Sequence, residues 1–136
     1  MQVNAYINFN GNCREALEFY ERCFGAKIIM LQTHAGSPMD AKTPAAWKEK
    51  ILHARLQVGE SVIMASDSPP EYFKAQEGFY LSLQLDDTEK AERIFGELAK
   101  DGAIHMPLEE TFWAKRFGML RDRFGIPWMV NCDLKE

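Results

Sequence analysis

Two stretches of alternating apolar residues open the two halves of this chain. Val3, Ala5, Ile7 and Phe9 put hydrophobic side chains on one face of a strand, and Phe79, Leu81, Leu83 and Leu85 repeat the pattern. A helical pattern follows each. Residues Asn12 to Tyr20 can be laid on Asp87 to Phe95 at a uniform offset of 75 residues. Ala16, Phe19, Tyr20 and Cys23 in the first, and Ala91, Ile94, Phe95 and Leu98 in the second, recur at helical spacing. Asn12 and Asp87 are good N-caps, with Glu15 completing a capping box after Asn12. Each helix is expected to end at a Gly-Ala pair, Gly25-Ala26 and Gly102-Ala103, where glycine suits a left-handed C-cap. Strands are then predicted over Lys27 to Thr33 and Ala103 to Leu108. Two hairpins follow, His53 to Met64 around Gly59 and Phe117 to Trp128 around Gly125.

Each half therefore reads strand, helix, three strands. The expected organisation is one domain over 1–136, with module one at 1–67, a linker at 68–77 and module two at 78–136. The tract Ser66-Asp-Ser-Pro-Pro70 reads as the start of the link. Residues 34–49 break the symmetry, because they form a longer loop rich in breakers. Such a loop is either a lid over a pocket or an inert surface excursion.

Composition narrows the class. A chain of 136 residues, 46% hydrophobic and 26% charged, can bury a core of its own. The net charge of −4, without any basic run, argues against nucleic acid or an anionic membrane as partner. No stretch is long and apolar enough to span a bilayer, and residues 1–4 do not resemble a signal peptide. Cys13 and Cys23 fall on one predicted helix, on the order of 15 Å apart along its axis. That is too far for a disulfide. With Cys132 they read as reduced thiols of a cytoplasmic protein.

The strands also have a second face. Asn4, Tyr6 and Asn8 oppose the first apolar set, His53, Arg55 and Gln57 oppose Ala54, Leu56 and Val58, and Tyr80, Ser82 and Gln84 oppose the later one. This polar and aromatic face is either solvated or the lining of a cup, and its recurrence in both halves favours the cup.

Three tracts carry a family resemblance. Asn10 to Tyr20, the hairpin His53 to Asp67, and above all Pro107 to Trp128 (with Phe112-Trp113, Arg116, Arg121-Asp122 and Phe124-Gly125) resemble the PhnB-like branch of the glyoxalase/bleomycin-resistance, or vicinal-oxygen-chelate, superfamily. The resemblance implies an α+β fold. Its two βαβββ modules make a cupped, incomplete mixed β-barrel with helices outside, usually as a homodimer. An open sheet edge in each module gives a physical reason to pair. In the wider superfamily a divalent metal is held in the cup by His, Gln and Glu. Here the first ligand position falls near Asn4, Ala5 or Tyr6, another at about Tyr80, and the final glutamate position at Met129. These are poor donors for such a metal. The expectation is therefore no metal ligands and no cofactor, although a divalent metal on a non-standard ligand set is the alternative.

The expected ligand-binding residues are Tyr6, Asn8, His53, Arg55, Tyr80, Ser82, Glu110, Trp113 and Arg116, with His53 the one catalytic candidate. Phe112 and Trp113 offer flat walls, and Arg116 a bidentate clamp for an anion. The alternatives are a His53 bonded only to backbone, an Arg116 paired with Glu110 or Asp122, and aromatics that are core. Asp67 reads as a helix or turn cap, while His34 and His105 lack ligand-like spacing. Three functions follow. One is metal-free small-molecule binding. The second is a metal-dependent lyase, isomerase or dioxygenase using His53 and Glu110. The third is a metal-free enzyme with His53 as base and Arg116 at an oxyanion. No glycine-rich strand-turn-helix loop is present to support methyl transfer from a nucleotide-like cofactor.

Overall fold

The computed structural model of the chain describes residues 1–134. They divide into two compact units, one of residues 1–74 and one that begins at residue 75. The first contains β1 (Tyr6–Phe9), α1 (Cys13–Phe24), β2 (Lys27–Thr33), β3 (Ile51–Val58) and β4 (Ser61–Asp67). The second contains β5 (Leu81–Leu85), α2 (Thr88–Ala99), β6 (Ala103–Glu109), β7 (Ala114–Arg121) and β8 (Pro127–Asp133). Both are βαβββ units of an α+β fold. Their four-stranded mixed sheets run β1-β4-β3-β2 and β5-β8-β7-β6. Within each, the first and last strands pair in parallel and the other pairs are antiparallel.

The helices cover the apolar faces that alternation marked. In α1, Ala16, Leu17, Tyr20 and Cys23 are buried against the side of the sheet that carries Ile7, Phe9, Ala54, Leu56, Ile63 and Ala65. In α2, Ala91, Ile94, Phe95 and Leu98 pack on Leu120, Trp128, Val130 and Cys132. Burial and the nearby Asp67 carboxylate push the Cys13 thiol well above its ordinary range, so it sits in the core as an inert apolar group.

Several local expectations differ from the structure. Val3, Ala5 and Phe79 lie outside the strands, and Val3 and Phe79 are exposed. Ser66 and Asp67 belong to β4, not to the link, because β4 pairs with β1 as far as Asp67 opposite Phe9. Asn12 occupies the N-cap of α1 but its side chain caps nothing. The capping oxygen comes from 54 residues away, since Asp67 Oδ1 accepts from the Cys13 N–H at 2.9 Å. Its other oxygen accepts from the Ile51 N–H at 2.8 Å. Asp87 does cap α2, accepting from the Glu89 and Lys90 N–H groups.

Gly25 takes the left-handed C-cap of α1 at φ 72°, but after α2 that conformation falls to Asp101, at φ 60°. Gly102 is needed for space instead: a Cβ there would stand 2.2 Å from the Arg121 carbonyl oxygen. At Gly118 a Cβ would lie 2.7 Å from Phe95 Cε2 and 2.9 Å from Leu108 Cα, so α2 rests directly on β7.

Asp67 is 6% exposed and satisfies two backbone donors at once. Asp67→Asn faces one of those N–H groups with another donor, an arrangement that costs about 1–3 kcal/mol. In urea unfolding the midpoint is expected to fall at an unchanged slope; an unchanged midpoint would remove Asp67 from this role.

Candidate functional site

In each sheet the face away from the helix is open. In the first unit, register places Tyr6, Met64, Arg55 and Met30 side by side across β1, β4, β3 and β2. One row further, Asn8 stands opposite Ser66, and His53 opposite Gln32. Tyr6 Oη meets His53 Nδ1 at 3.2 Å, with ring centroids 5.7 Å apart. Ser66 Oγ donates to Asn8 Oδ1 at 3.2 Å. Arg55 is exposed on this face.

The second unit repeats the arrangement with different chemistry. Ser82, Met129, Met119 and Met106 form one row across β5, β8, β7 and β6, and Gln84, Asn131, Phe117 and Glu109 form the next. Three thioethers therefore lie side by side. Tyr80 Oη reaches His105 Nδ1 at 2.9 Å, the rings meeting edge to face at 87°. Because Tyr80 adjoins β5 and His105 lies on β6, at opposite edges, this bond requires a strongly curved sheet. Gln84 Nε2 donates to Ser82 Oγ at 2.7 Å, and Asn131 Nδ2 donates to Gln84 Oε1 at 2.8 Å. Asn131 is buried, and its Oδ1 has no hydrogen-bond partner among the described residues, which leaves an acceptor at the floor of the face.

The expected site residues separate into groups. Tyr6, Asn8, His53 and Arg55 share the open face of the first unit, and Tyr80 and Ser82 that of the second. Trp113 is 45% exposed and touches Phe112 and Phe117, at centroid distances of 4.8 and 5.4 Å, so it continues the second face at its Phe117 end. Glu110 is exposed, one residue beyond β6. Arg116 is elsewhere. Unbroken register with β8, from Arg121 back to Arg116, sets it opposite Cys132, a residue of the helix-covered core, and its Nε pairs with Glu92 Oε1 of α2 at 3.0 Å. Its partner is neither Glu110 nor Asp122. Asp122 is buried, and accepts from the Phe124 and Ile126 N–H groups and from Trp128 Nε1.

Sequence reasoning gave His105 no role for want of ligand-like spacing, named Met129 only as a poor metal donor, and did not single out Asn131 or the other open-face methionines. Five of the seven methionines (Met30, Met64, Met106, Met119 and Met129) stand on open faces. Thioethers make an apolar surface that adapts to the shape of what rests on it, while the two phenol–imidazole pairs offer neutral donors and acceptors. Such a surface suits a partly apolar organic molecule with a few polar groups. Among the described residues, no three His, Cys, Asp or Glu side chains converge in a way that could hold a metal ion. No helix among the described residues is long and apolar enough to cross a membrane.

If the two pairs are independent, Tyr6→Phe moves the imidazole 15N resonances of His53 and leaves those of His105 in place, and Tyr80→Phe does the reverse. Movement of both sets in either variant would refute the assignment.

A family model described as 3-demethylubiquinone-9 3-methyltransferase matches residues 1–131. The crystal structure of protein PA1353 from Pseudomonas aeruginosa is 46% identical, covers 99% of both chains and superposes with a TM-score of 0.89. A PhnB protein from Bacillus cereus, described with the same methyltransferase activity, is 25% identical over 97% of this chain and 99% of its own, with a TM-score of 0.81. The fosfomycin resistance protein FosX of Listeria monocytogenes, 8% identical over 98% and 94% of the two chains, shares the fold with a TM-score of 0.68.

Proposed function

We propose that this chain, which belongs to the PhnB-like 3-demethylubiquinone-9 3-methyltransferase family within the vicinal-oxygen-chelate superfamily, binds a small organic molecule on its open sheet faces without the divalent metal that the superfamily commonly uses. The observation that carries this reading is the row Ser82, Met129, Met119, Met106. It puts the thioether of Met129, beside those of Met119 and Met106, at the position where the superfamily resemblance calls for a glutamate.

The rest of the donor set argues the same way. A FosX mutant has been crystallised with Mn(II) and a dihydroxypropylphosphonic acid, a pairing of hard cation and oxygen-rich ligand that suits carboxylate and imidazole donors. In this chain Asn4 donates to the Val62 carbonyl, and Tyr6 and Tyr80 are each engaged with a histidine. Neutral phenols, an amide and a thioether do not fit such a cation. Arg116, the group required for a metal-free oxyanion mechanism, lies on the helix face of its sheet and is paired with Glu92. We therefore favour binding over either catalytic reading.

The methyltransferase wording of the family description is not carried over as an activity. The strand-to-helix junctions here are Asn10-Gly-Asn12 and Asp86-Asp87, and neither is the glycine-rich turn that cradles a nucleotide-like cofactor. A homodimer belongs to the same proposal. Strand β6 lies at a sheet edge with Ile104 and Met106 exposed at 53% and 42%, and a second copy would cover them.

Metal content by plasma mass spectrometry, with thermal-shift titrations of Mn, Fe, Ni and Zn, tests the central claim. The expected result is no stoichiometric metal and no stabilisation. A stoichiometric metal that is lost in His53→Ala would overturn it. Light scattering is expected to give twice the 15.6 kDa chain mass; a monomer would discard the dimer and leave the binding claim standing.

A further inference from the structure

We infer that the open face of the second unit carries a site for one soft monovalent cation, copper(I), held by the thioethers of Met106, Met119 and Met129 and by the imidazole of His105. Register sets the three methionines side by side on β6, β7 and β8, with Met119 opposite both of the others. Cβ atoms opposite one another on neighbouring strands start about 5 Å apart. Three rotatable bonds in each unbranched side chain then let the sulfurs close on a single ion. The register shift between Ile104 and Met106 is a bulge on β6. It turns His105 to the same side as Met106, where its Nδ1 meets Tyr80 Oη at 2.9 Å. That bond joins the two edges of the sheet, so the face is concave and its side chains converge.

The donor set selects the ion. Thioethers are soft and neutral, and together with an imidazole they suit copper(I) and not a hard divalent cation. Tyr80 is the partner that orients the ring: by engaging Nδ1 it leaves Nε2 as the coordinating nitrogen. Met106 is exposed, and Met119 and Met129 are half-buried, so an ion reaches all three from solvent.

The first unit supplies the contrast. Met64 and Met30 also share a row there, but Arg55 stands between them, and a guanidinium in that place repels a cation. In the second unit Arg121 lies two residues beyond Met119 on the same face of β7. Its guanidinium is instead held at the hairpin end, donating to the Gln76 and Gly125 carbonyls at 2.8 and 2.6 Å. The stronger soft donors, the thiols of Cys13, Cys23 and Cys132, are buried. With neither thiolate nor carboxylate in the set, the ion exchanges freely, so the protein is loaded with it for the experiment.

The test uses the full chain, 13C-labelled at the methionine methyls, titrated with silver(I), a redox-inert probe of the same softness, and with copper(I) under argon. One equivalent of either ion is expected to shift Met106, Met119 and Met129 saturably and to leave Met30 and Met64 in place, while Zn(II) shifts none of them. Met119→Leu, which nearly conserves volume, removes the saturable shifts. Tyr80→Phe weakens binding by roughly tenfold or more, and Met64→Leu leaves it unchanged. Absence of saturable shifts, equal movement of all seven methionines, the same shifts with Zn(II), uptake by the cysteines, or full affinity in Met119→Leu would each overturn the assignment. Full affinity in Tyr80→Phe would strike His105 from the ligand set. The wild-type spectra decide the matter even if a variant fails to fold. The site does not rest on binding of an organic molecule: a null silver titration leaves that reading standing, and loss of that reading leaves silver binding untouched.

Discussion

A buried carboxylate at the end of β4 is the constraint on which the first unit depends. Asp67 is carried into the core by the parallel pairing of β1 with β4, and there it accepts from the first N–H of α1 and from the first N–H of β3. A buried anion is tolerable only where donors meet both oxygens, and here the donors are backbone groups that would otherwise be orphans at a helix start and a strand start. One residue thereby fixes where the helix begins relative to the sheet, and with it which face of the sheet is covered. Asp122 has a corresponding part in the second unit. It closes the β7–β8 turn through two backbone N–H groups and secures Trp128 by its indole nitrogen.

Once the helix face is settled, the open face follows from the two-residue period of the strands. Its contents differ between the units. The first presents an arginine, two thioethers, a serine–asparagine pair and a tyrosine–histidine pair, and the second a tyrosine–histidine pair, an amide ladder and three thioethers. The duplicated architecture has thus kept its geometry while its surface chemistry diverged. Membership of the family accounts for the geometry. The binding chemistry has to be read from the side chains, because a fold hosts many functions.

Arg116 shows how narrow that reading is. Counted by alternation from the hairpin turn, it falls on the helix face with Gly118 and Leu120, while Phe117 and Met119 take the open face. There it meets Glu92, and an anion clamp becomes a surface ion pair worth little to stability or binding. Trp113, three residues before it, stands just ahead of β7 and packs on Phe117 of the open face.

Much of this protein was legible in the chain itself. The repeat at a 75-residue offset, the two amphipathic helices, the glycine turns and the βαβββ order all follow from local periodicity, which needs no partner to be recognised. The pairing of Met119 with Met129 was also within reach, since both are set by the register of a hairpin turning near Gly125. Contacts between distant segments were not. Asn12 has the composition of a cap, yet the capping oxygen comes from Asp67. Gly102 has the composition of a C-cap, yet its small size is needed against Arg121. His105 pairs with Tyr80 only because the sheet curves enough to bring its edges together. The amino-acid sequence by itself determined the elements and their faces, because these depend on neighbours three, four or two residues away. Tertiary structure alone decided the partners of Asp67, Arg116 and His105, because a hydrogen bond is short and directional, and which groups come within its reach depends on the packing of the whole unit.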